Sequence, residues 1–291
     1  MPELPEVETV RTGLSQFIIS KAVVSVDFDW PKSFPNAKED VTSFLVGASI
    51  TQVRRRAKVL LIDLSSGHTL VIHLKMTGQM VYRGKGEAFG AGHPNDSLVN
   101  ELPDKSTRVS LVFKDGSKLY FNDQRKFGWM RLYPTIEVPN IDFFQKVGPE
   151  PLATDFTQKA FRARLLRRPN TNIKAALLDQ TVIAGVGNIY ADESLWGAKI
   201  HPATLVKNLT VAQTNKLYTE LRFVLNLAIE KGGSSDRNYV NAEGKKGSYL
   251  SFARVFRRQG QACPRCGTTI IKTRVAGRGT HLCPNCQKVK T

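Results

Sequence analysis

The stretch CPRCGTTIIKTRVAGRGTHLCPNC, residues 263–286, fixes the architecture of the C-terminal part of the chain. Cys263-Pro-Arg-Cys266 and Cys283-Pro-Asn-Cys286 are separated by sixteen residues. Each Cys-x-x-Cys pair is a tight knuckle that presents two thiolates to one ion, and the spacer has the length of a β-hairpin that closes a tetrahedron. All 4 cysteines of the chain are used. The predicted ligands are therefore Cys263, Cys266, Cys283 and Cys286, around one Zn²⁺. No ligand position stays open, so the metal is expected to be structural and not catalytic. Unligated thiols, or a redox role for one Cys-x-x-Cys, are the alternative readings. Four thiolates on Zn²⁺ carry a net charge of about −2. Yet residues 244–291 contain 11 Lys and Arg and no Asp or Glu. The finger remains strongly positive and reads as a DNA-holding element, with Arg274 and Arg278 on the hairpin between the knuckles.

Upstream, Leu177-Leu-Asp-Gln180 leads to Gly185-Val-Gly187-Asn188 and then to Ile189–Trp196. Two helices joined by a glycine-containing turn is an arrangement used on nucleic acids. Asn188 stands where an N-cap is expected, and the amides after it suit a phosphate oxygen. A glycine-rich turn used only for packing is the competing reading of this signal taken alone.

The whole-chain balance agrees with a polyanionic partner. Lys and Arg number 42 against 25 Asp and Glu, a formal charge of +17 with pI near 9.9. Hydrophobic residues make up 41% of the 291, which indicates a globular protein of about two domains. Apolar runs such as Val59–Ile62 are far shorter than the roughly 18 residues of a spanning helix. Glu3, Glu6 and Glu8 stand where a basic leader would sit. A reducing cytoplasm is therefore expected, and there the cysteines read as metal ligands and not disulfides.

Val7, Val10, Leu14 and Ile18 form one helical stripe in a helix predicted over residues 2–18. Residues 22–133 read mainly as strands: Val23–Phe28, Ser49–Arg56, Val59–Leu64, Thr69–Leu74, Val109–Phe113 and Lys118–Asn122. Their spacing suggests a β-sandwich. Arg83–Asp104, rich in Gly, Pro, Asn and Asp, reads as an exposed loop. Pro134, Pro139, Pro149 and Pro151 mark the domain boundary. Helices are then predicted over Phe156–Leu166, Ile173–Leu178, Ile189–Trp196, Val211–Tyr218 and Leu221–Glu230, and a loop over Gly232–Gly247.

The first ten residues, Met1-Pro-Glu-Leu-Pro-Glu-Val-Glu-Thr-Val10, closely resemble the start of formamidopyrimidine-DNA glycosylases. Arg55-Arg-Ala-Lys58, His73-Leu-Lys-Met-Thr-Gly78, Asp123-Gln-Arg-Lys-Phe-Gly128, Gly148-Pro-Glu-Pro151, Ile173-Lys174, Gly185–Ala191, Gly232–Ser235 and the four-cysteine finger look like motifs of the same family, in family order. Leu4 stands where the related endonuclease VIII branch typically has Gly. The resemblance implies an α+β protein, with an N-terminal β-sandwich carrying an N-terminal helix. A C-terminal helical helix-two-turn-helix domain follows, with the four-cysteine zinc finger. Its expected bounds are 1–135 for the sandwich, 136–150 for a hinge, 151–247 for the helical domain with its lesion-recognition loop, and 254–288 for the finger.

The resemblance also implies a bifunctional base-excision enzyme for oxidised purines, 8-oxoguanine and formamidopyrimidines, in duplex DNA. Removal of Met1 leaves Pro2 with a secondary amine. That amine can attack C1′ of a damaged nucleoside, expel the base and form a Schiff base. Glu3 resembles the acid that protonates the sugar ring oxygen, and Glu6 a supporting carboxylate. As residue types alone, both also suit the positive end of a helix dipole. Lys58 resembles the lysine of β-elimination, although an arbitrary lysine there would read as a solvated strand end. Arg278 resembles the finger arginine of δ-elimination. Met76, Arg125 and Phe127 resemble the residues that fill the hole left by an everted base. His73, Ser106, Arg108, Arg168, Lys174 and Asn188 are the remaining expected DNA-binding positions, with His73 read as a hydrogen-bonded structural histidine. Ser234–Gly247 resembles a lid over the extruded base.

The chain departs from the family at Ser106, where many relatives carry histidine, at Arg257 and Ala262 before the finger, and in a longer loop 83–104. A monomer acting on damaged double-stranded DNA is expected, away from membranes, in a bacterial-type cytoplasm associated with the nucleoid. The rival readings are an endonuclease VIII-like glycosylase for oxidised pyrimidines and a non-catalytic DNA-binding zinc protein of the same fold.

Overall fold

The computed structural model describes residues 1–93, 95–234 and 249–289. Among these the chain forms two compact units, residues 1–145 with 231–234, and residues 146–230 with 249–289.

The first unit begins with helix α1 (Leu4–Phe17). Glu3 is its N-cap, and a reciprocal capping box with Glu6 satisfies amides that a helix start otherwise leaves open. Pro5 occupies the first turn, where its missing N–H is harmless. The predicted stripe is the buried one: Val7, Val10, Leu14 and Ile18 are all inaccessible. Strands β1 (Val23–Phe28), β2 (Ile50–Arg56), β3 (Val59–Leu64), β4 (His68–His73), β5 (Gly78–Arg83), β6 (Ala88–Gly92), β7 (Thr107–Phe113), β8 (Lys118–Asp123) and β9 (Trp129–Pro134) follow, with a short helix α2 (Lys38–Phe44) after β1. They form a five-stranded sheet in the order β1-β7-β8-β5-β6 and a four-stranded sheet in the order β2-β3-β4-β9. All the described pairings are antiparallel.

The main core takes Leu60, Ile62, Leu70, Ile72, Met130 and Leu132 from the four-stranded sheet, together with Val109, Leu111, Phe121 and Met80 from the other. A second apolar cluster covers the opposite face of the four-stranded sheet. Val59, Leu61 and Val71 pack there with Val138, Phe143 and Phe144, the last two on α3 (Asp142–Lys146). Strand β3 is thus buried along its whole length, which explains its unbroken apolar run.

Three sequence expectations change. The stretch 83–104 is not simply an exposed loop. It contains β6, whose Phe89 and Ala91 are buried, and Leu98 is buried as well. Gly92, one of the glycines that suggested a loop, serves close approach instead: a Cβ on it would lie 2.4 Å from the Gly78 carbonyl oxygen. Strands β5 and β9 escape the sequence pattern because Gly78 and Gln79 start one and the other ends at Pro134.

The second unit contains α4 (Gln158–Leu165), α5 (Ile173–Leu178), α6 (Asn188–Gly197), α7 (Val211–Glu230) and α8 (Tyr249–Phe252). Thr157 and Asn172 cap α4 and α5 through their side-chain oxygens. The two helices predicted over 211–230 are one 20-residue helix, since Thr219 and Glu220 are ordinary helical residues. Its buried face, including Leu217, Leu221, Val224 and Ala228, joins Tyr190, Leu195 and Leu177 in the core of this unit. The finger adds the antiparallel hairpin β10 (Ile271–Val275) and β11 (Arg278–Leu282). Ala276 and Gly277 link its strands with φ of 51° and 73°, the two left-handed positions of a type I′ turn. The predicted loop over Ser234–Gly247 lies, beyond Ser234, outside the described residues.

Candidate active site and nucleic-acid interface

In the first unit, α1 brings the N-terminal residues to one place. Met1 is 49% exposed, whereas Pro2, Glu3 and Glu6 are buried. Glu6 Oε2 accepts the Glu3 amide at 2.8 Å, and Glu6 Oε1 accepts the Ser234 amide at 2.8 Å. Gly233 (φ 85°) packs on Glu6 so closely that an added Cβ would stand 3.1 Å from its Oε1. One carboxylate therefore fixes the peptide that follows Pro2 and the base of the segment predicted to form the lid.

Lys58 is not a solvated strand end. It sits at the turn between β2 and β3, where Arg56 pairs with Val59, yet it is only 6% exposed. Its neighbour across the sheet edge is His73, which pairs with Val59. Burial, and then the charges of Lys75 and Lys58, push the His73 imidazole down to about 3. It is neutral at physiological pH, with Nδ1 accepting the Lys75 amide at 3.0 Å and the ring packed between Trp129 and Phe143. The reading of His73 as a hydrogen-bonded structural histidine fits this geometry.

Met76 and Phe127 are 39% and 55% exposed, although both are large apolar side chains. The Arg125 guanidinium lies over the Phe127 ring, 4.9 Å from its centroid. Two turns present this apolar and cationic trio, and a residue overlooked in the sequence joins them. Asp123 is fully buried and accepts the Gly128 amide at 2.6 Å, the Arg125 amide at 3.2 Å and the Thr77 hydroxyl. An Asp followed by a turn is a readable Asx signal, but its partner Thr77 is 46 residues away.

Ser106 and Arg108 depart from expectation. Ser106 is buried and its hydroxyl donates to Asp104 Oδ1 at 2.6 Å. The Arg108 guanidinium is 3% exposed and donates to Asp29 Oδ2 at 2.8 Å, to the Ser106 carbonyl and to the Lys105 carbonyl. Both side chains face inward.

In the second unit, Asn188 is the first residue of α6 and not its cap, which is Gly187. Its Oδ1 is buried with no hydrogen-bond partner among the described residues. Lys174 is fully buried: its ammonium donates to Asp192 Oδ1 at 2.6 Å, the Gly279 carbonyl at 3.0 Å and Thr280 Oγ1 at 2.7 Å. The resemblance implies a phosphate contact at Lys174; its ammonium braces the finger hairpin from beneath. Asp192 Oδ2 also accepts the His281 amide. Glu193 accepts the amides of Val255 and Phe256 at 2.8 Å. These adjacent buried acids in an otherwise apolar helix were the unread signal for the braces. Arg168 is half exposed and pairs with Asp179 at 3.2 Å. Arg274 and Arg278 are exposed on the hairpin, as predicted.

The four cysteine sulfurs lie within 4.8 Å of one another. Individual separations are 3.9, 3.5 and 3.4 Å, against the ~3.8 Å expected between sulfurs of a tetrahedral site with bonds near 2.3 Å. Hydrogen bonds from Thr268 and Asn285 hold the Cys266 thiol down to about 5, while burial and the neighbouring sulfurs push Cys286 up to about 12. A dication resolves that crowding of sulfurs. The donor set fits zinc and leaves no open position.

Comparison with known proteins accords with this geometry. The family model for the formamidopyrimidine-DNA glycosylase N-terminal domain matches residues 1–130, that for its H2TH domain residues 147–239, and a zinc finger found in FPG and IleRS residues 260–289. The finger holds one structural zinc ion. A formamidopyrimidine-DNA glycosylase of Streptococcus pyogenes is 42% identical over 289 residues, covering 99% of both chains. The wild-type Lactococcus lactis Fpg, solved with N7-benzyl-Fapy-dG-containing DNA, superposes with a TM-score of 0.86 at 35% identity, over 99% of this chain and 100% of that one. MutM in complex with carbocyclic 8-oxo-G-containing DNA gives a TM-score of 0.85 at 35% identity, with the same coverage. Among the described residues no helix is long and apolar enough to cross a membrane.

Proposed function

The chain belongs to the formamidopyrimidine-DNA glycosylase family, enzymes that act on damaged DNA as glycosylase and abasic-site lyase, and from that premise we propose that it excises oxidised purines through a Schiff base on Pro2. The observation that carries this reading is the buried arrangement of Pro2, Glu3 and Glu6, in which Glu6 pins the Glu3 amide at 2.8 Å. With Met1 removed, the Pro2 nitrogen becomes a secondary amine one peptide away from that fixed point. A chain-terminal amine loses its proton near pH 8, more than two units below a lysine, and so can act as a nucleophile at neutral pH.

The Pro2 nitrogen forms a bond to C1′ as the C1′–N bond to the damaged base breaks, and the proton that the Pro2 amine gives up leaves with the base. Glu3 supplies a proton to the sugar ring oxygen as the ring opens, which leaves an iminium between Pro2 and C1′. Lys58 assists β-elimination of the 3′ phosphate and Arg278 assists δ-elimination of the 5′ phosphate, to give a one-nucleotide gap. Met76, Arg125 and Phe127 occupy the space vacated by the everted nucleotide. Asn188 and the finger hold the backbone of damaged duplex DNA, with α6 amides and basic side chains suited to phosphate. A single chain per lesion suffices for these roles.

Borohydride trapping on an 8-oxoguanine duplex tests the nucleophile. A covalent adduct is expected at Pro2, and Pro2→Gly or retention of Met1 should reduce or abolish it. An undiminished adduct in both would exclude Pro2.

A further inference from the structure

We infer that Glu8 and Arg55 are positioning residues, a two-step strut that sets the placement of Lys58 relative to the helix carrying Pro2. The inference rests on the proposed role of Lys58 in elimination.

The turn that bears Lys58 is awkward. Ala57, its first position, is completely buried and holds φ of 55°. That region is favoured by glycine, and a non-glycine residue there is strained. Such a conformation persists only if its surroundings impose it. Arg55 is one such restraint. Its Nη1 donates to the Ala57 carbonyl at 2.9 Å. That carbonyl belongs to the peptide joining Ala57 to Lys58, so the bond orients the plane from which the Lys58 side chain departs.

The other end of the guanidinium is anchored on α1. Arg55 Nε donates to Glu8 Oε2 at 2.9 Å, while Glu8 Oε1 accepts Arg11 Nε at 2.8 Å. Burial alone would raise the Glu8 carboxyl, but the Arg11 and Arg55 guanidiniums outweigh it and hold Glu8 below the usual carboxylate range. The Arg55 side chain is only 11% exposed, so this is not a solvated surface pair of negligible worth. A fork is required, because one donor must reach the carboxylate while another reaches the carbonyl. Arginine offers that geometry and lysine does not.

The strut makes a prediction that general packing does not: losing it should slow elimination and spare iminium formation. On an abasic-site duplex, borohydride trapping reports the Pro2 adduct and strand scission reports elimination. Arg55→Leu is expected to lower scission at least tenfold and leave the trapping rate within about twofold of the native enzyme. Arg55→Lys should recover little, since one ammonium replaces the fork. Lys58→Ala is the control for the underlying reading. If it leaves scission intact, the role of Lys58 fails, whatever Arg55 does. If it abolishes scission but Arg55→Leu does not lower it, the strut is overturned. Equal loss of trapping and scission in Arg55→Leu also overturns it. Should Arg55→Leu not fold, Glu8→Gln, which leaves the Arg55–Ala57 bond in place, must show the same split in weaker form; an unchanged ratio rejects the proposal.

Discussion

Glu6 and Ser234 are 228 residues apart in sequence, yet the Glu6 carboxylate accepts the Ser234 amide at 2.8 Å while its other oxygen accepts the Glu3 amide. Glutamine can keep only one of these bonds, because its amide nitrogen would face a second donor. Stranding one amide costs about 1–3 kcal/mol. Glu6→Gln should therefore excise 8-oxoguanine roughly 10- to 100-fold more slowly. Single-turnover rates on a lesion duplex check this, and a native rate would show that the double acceptance is dispensable.

His73 has an imidazole pushed down to about 3 by burial. In the unfolded chain it titrates near 6.5, so the unfolded state binds the extra proton first as pH falls. The stability that His73 contributes is full above pH ~6.5 and is lost as pH falls towards ~3, by about 2 kcal/mol between pH 7 and pH 5. Urea midpoints of the native protein should fall over that range more than those of His73→Gln. Parallel curves would contradict the assignment.

Asp123 holds two turns, and both carry exposed residues of the proposed hole-filling trio. Asp123→Ala leaves the buried Gly128 amide without its acceptor and the Arg125 amide with Thr77 Oγ1 alone, and should destabilise the protein by about 1–3 kcal/mol, visible as a lowered Tm. Phe127→Ala removes an exposed ring and should leave Tm nearly unchanged while slowing lesion excision from duplex DNA about tenfold or more. The two variants separate folding from function. A Tm fall in Phe127→Ala equal to that of Asp123→Ala would show that the ring is core and not wedge.

Metal analysis should give one zinc per chain, and Cys266→Ser should lose both the metal and at least tenfold in duplex affinity. Metal-free protein that binds DNA undiminished would separate the finger from recognition.

The sequence made some of this legible and hid the rest for identifiable reasons. The cysteine spacing and the 276–277 turn are local, and the finger hairpin follows directly from them. The α1 stripe is equally local. Residue type alone would make Lys58 a solvated strand end, and its burial depends on the β2–β3 and β3–β4 pairings, which have no local signature. Family position alone names Ser106 and Arg108, and no local pattern shows that Asp104 and Asp29 turn them inward. Lys174 is the sharpest case: a charged residue in the right motif whose ammonium is consumed by Asp192, Gly279 and Thr280. Its partners lie 18 to 106 residues away, beyond any window of sequence pattern.

Strand β3 leaves the Lys58 turn and is clamped between two apolar layers, Leu60 and Ile62 on one side, Val59 and Leu61 on the other. In evolutionary terms this makes the strand a poor place for drift. A register slip by one residue would exchange the two faces without creating an exposed one, so folding alone is a weak guard against it. The closed turn at 57–58 is what forbids the slip. On the proposed role of Lys58, the demands of elimination and of correct strand alignment therefore fall on the same two residues.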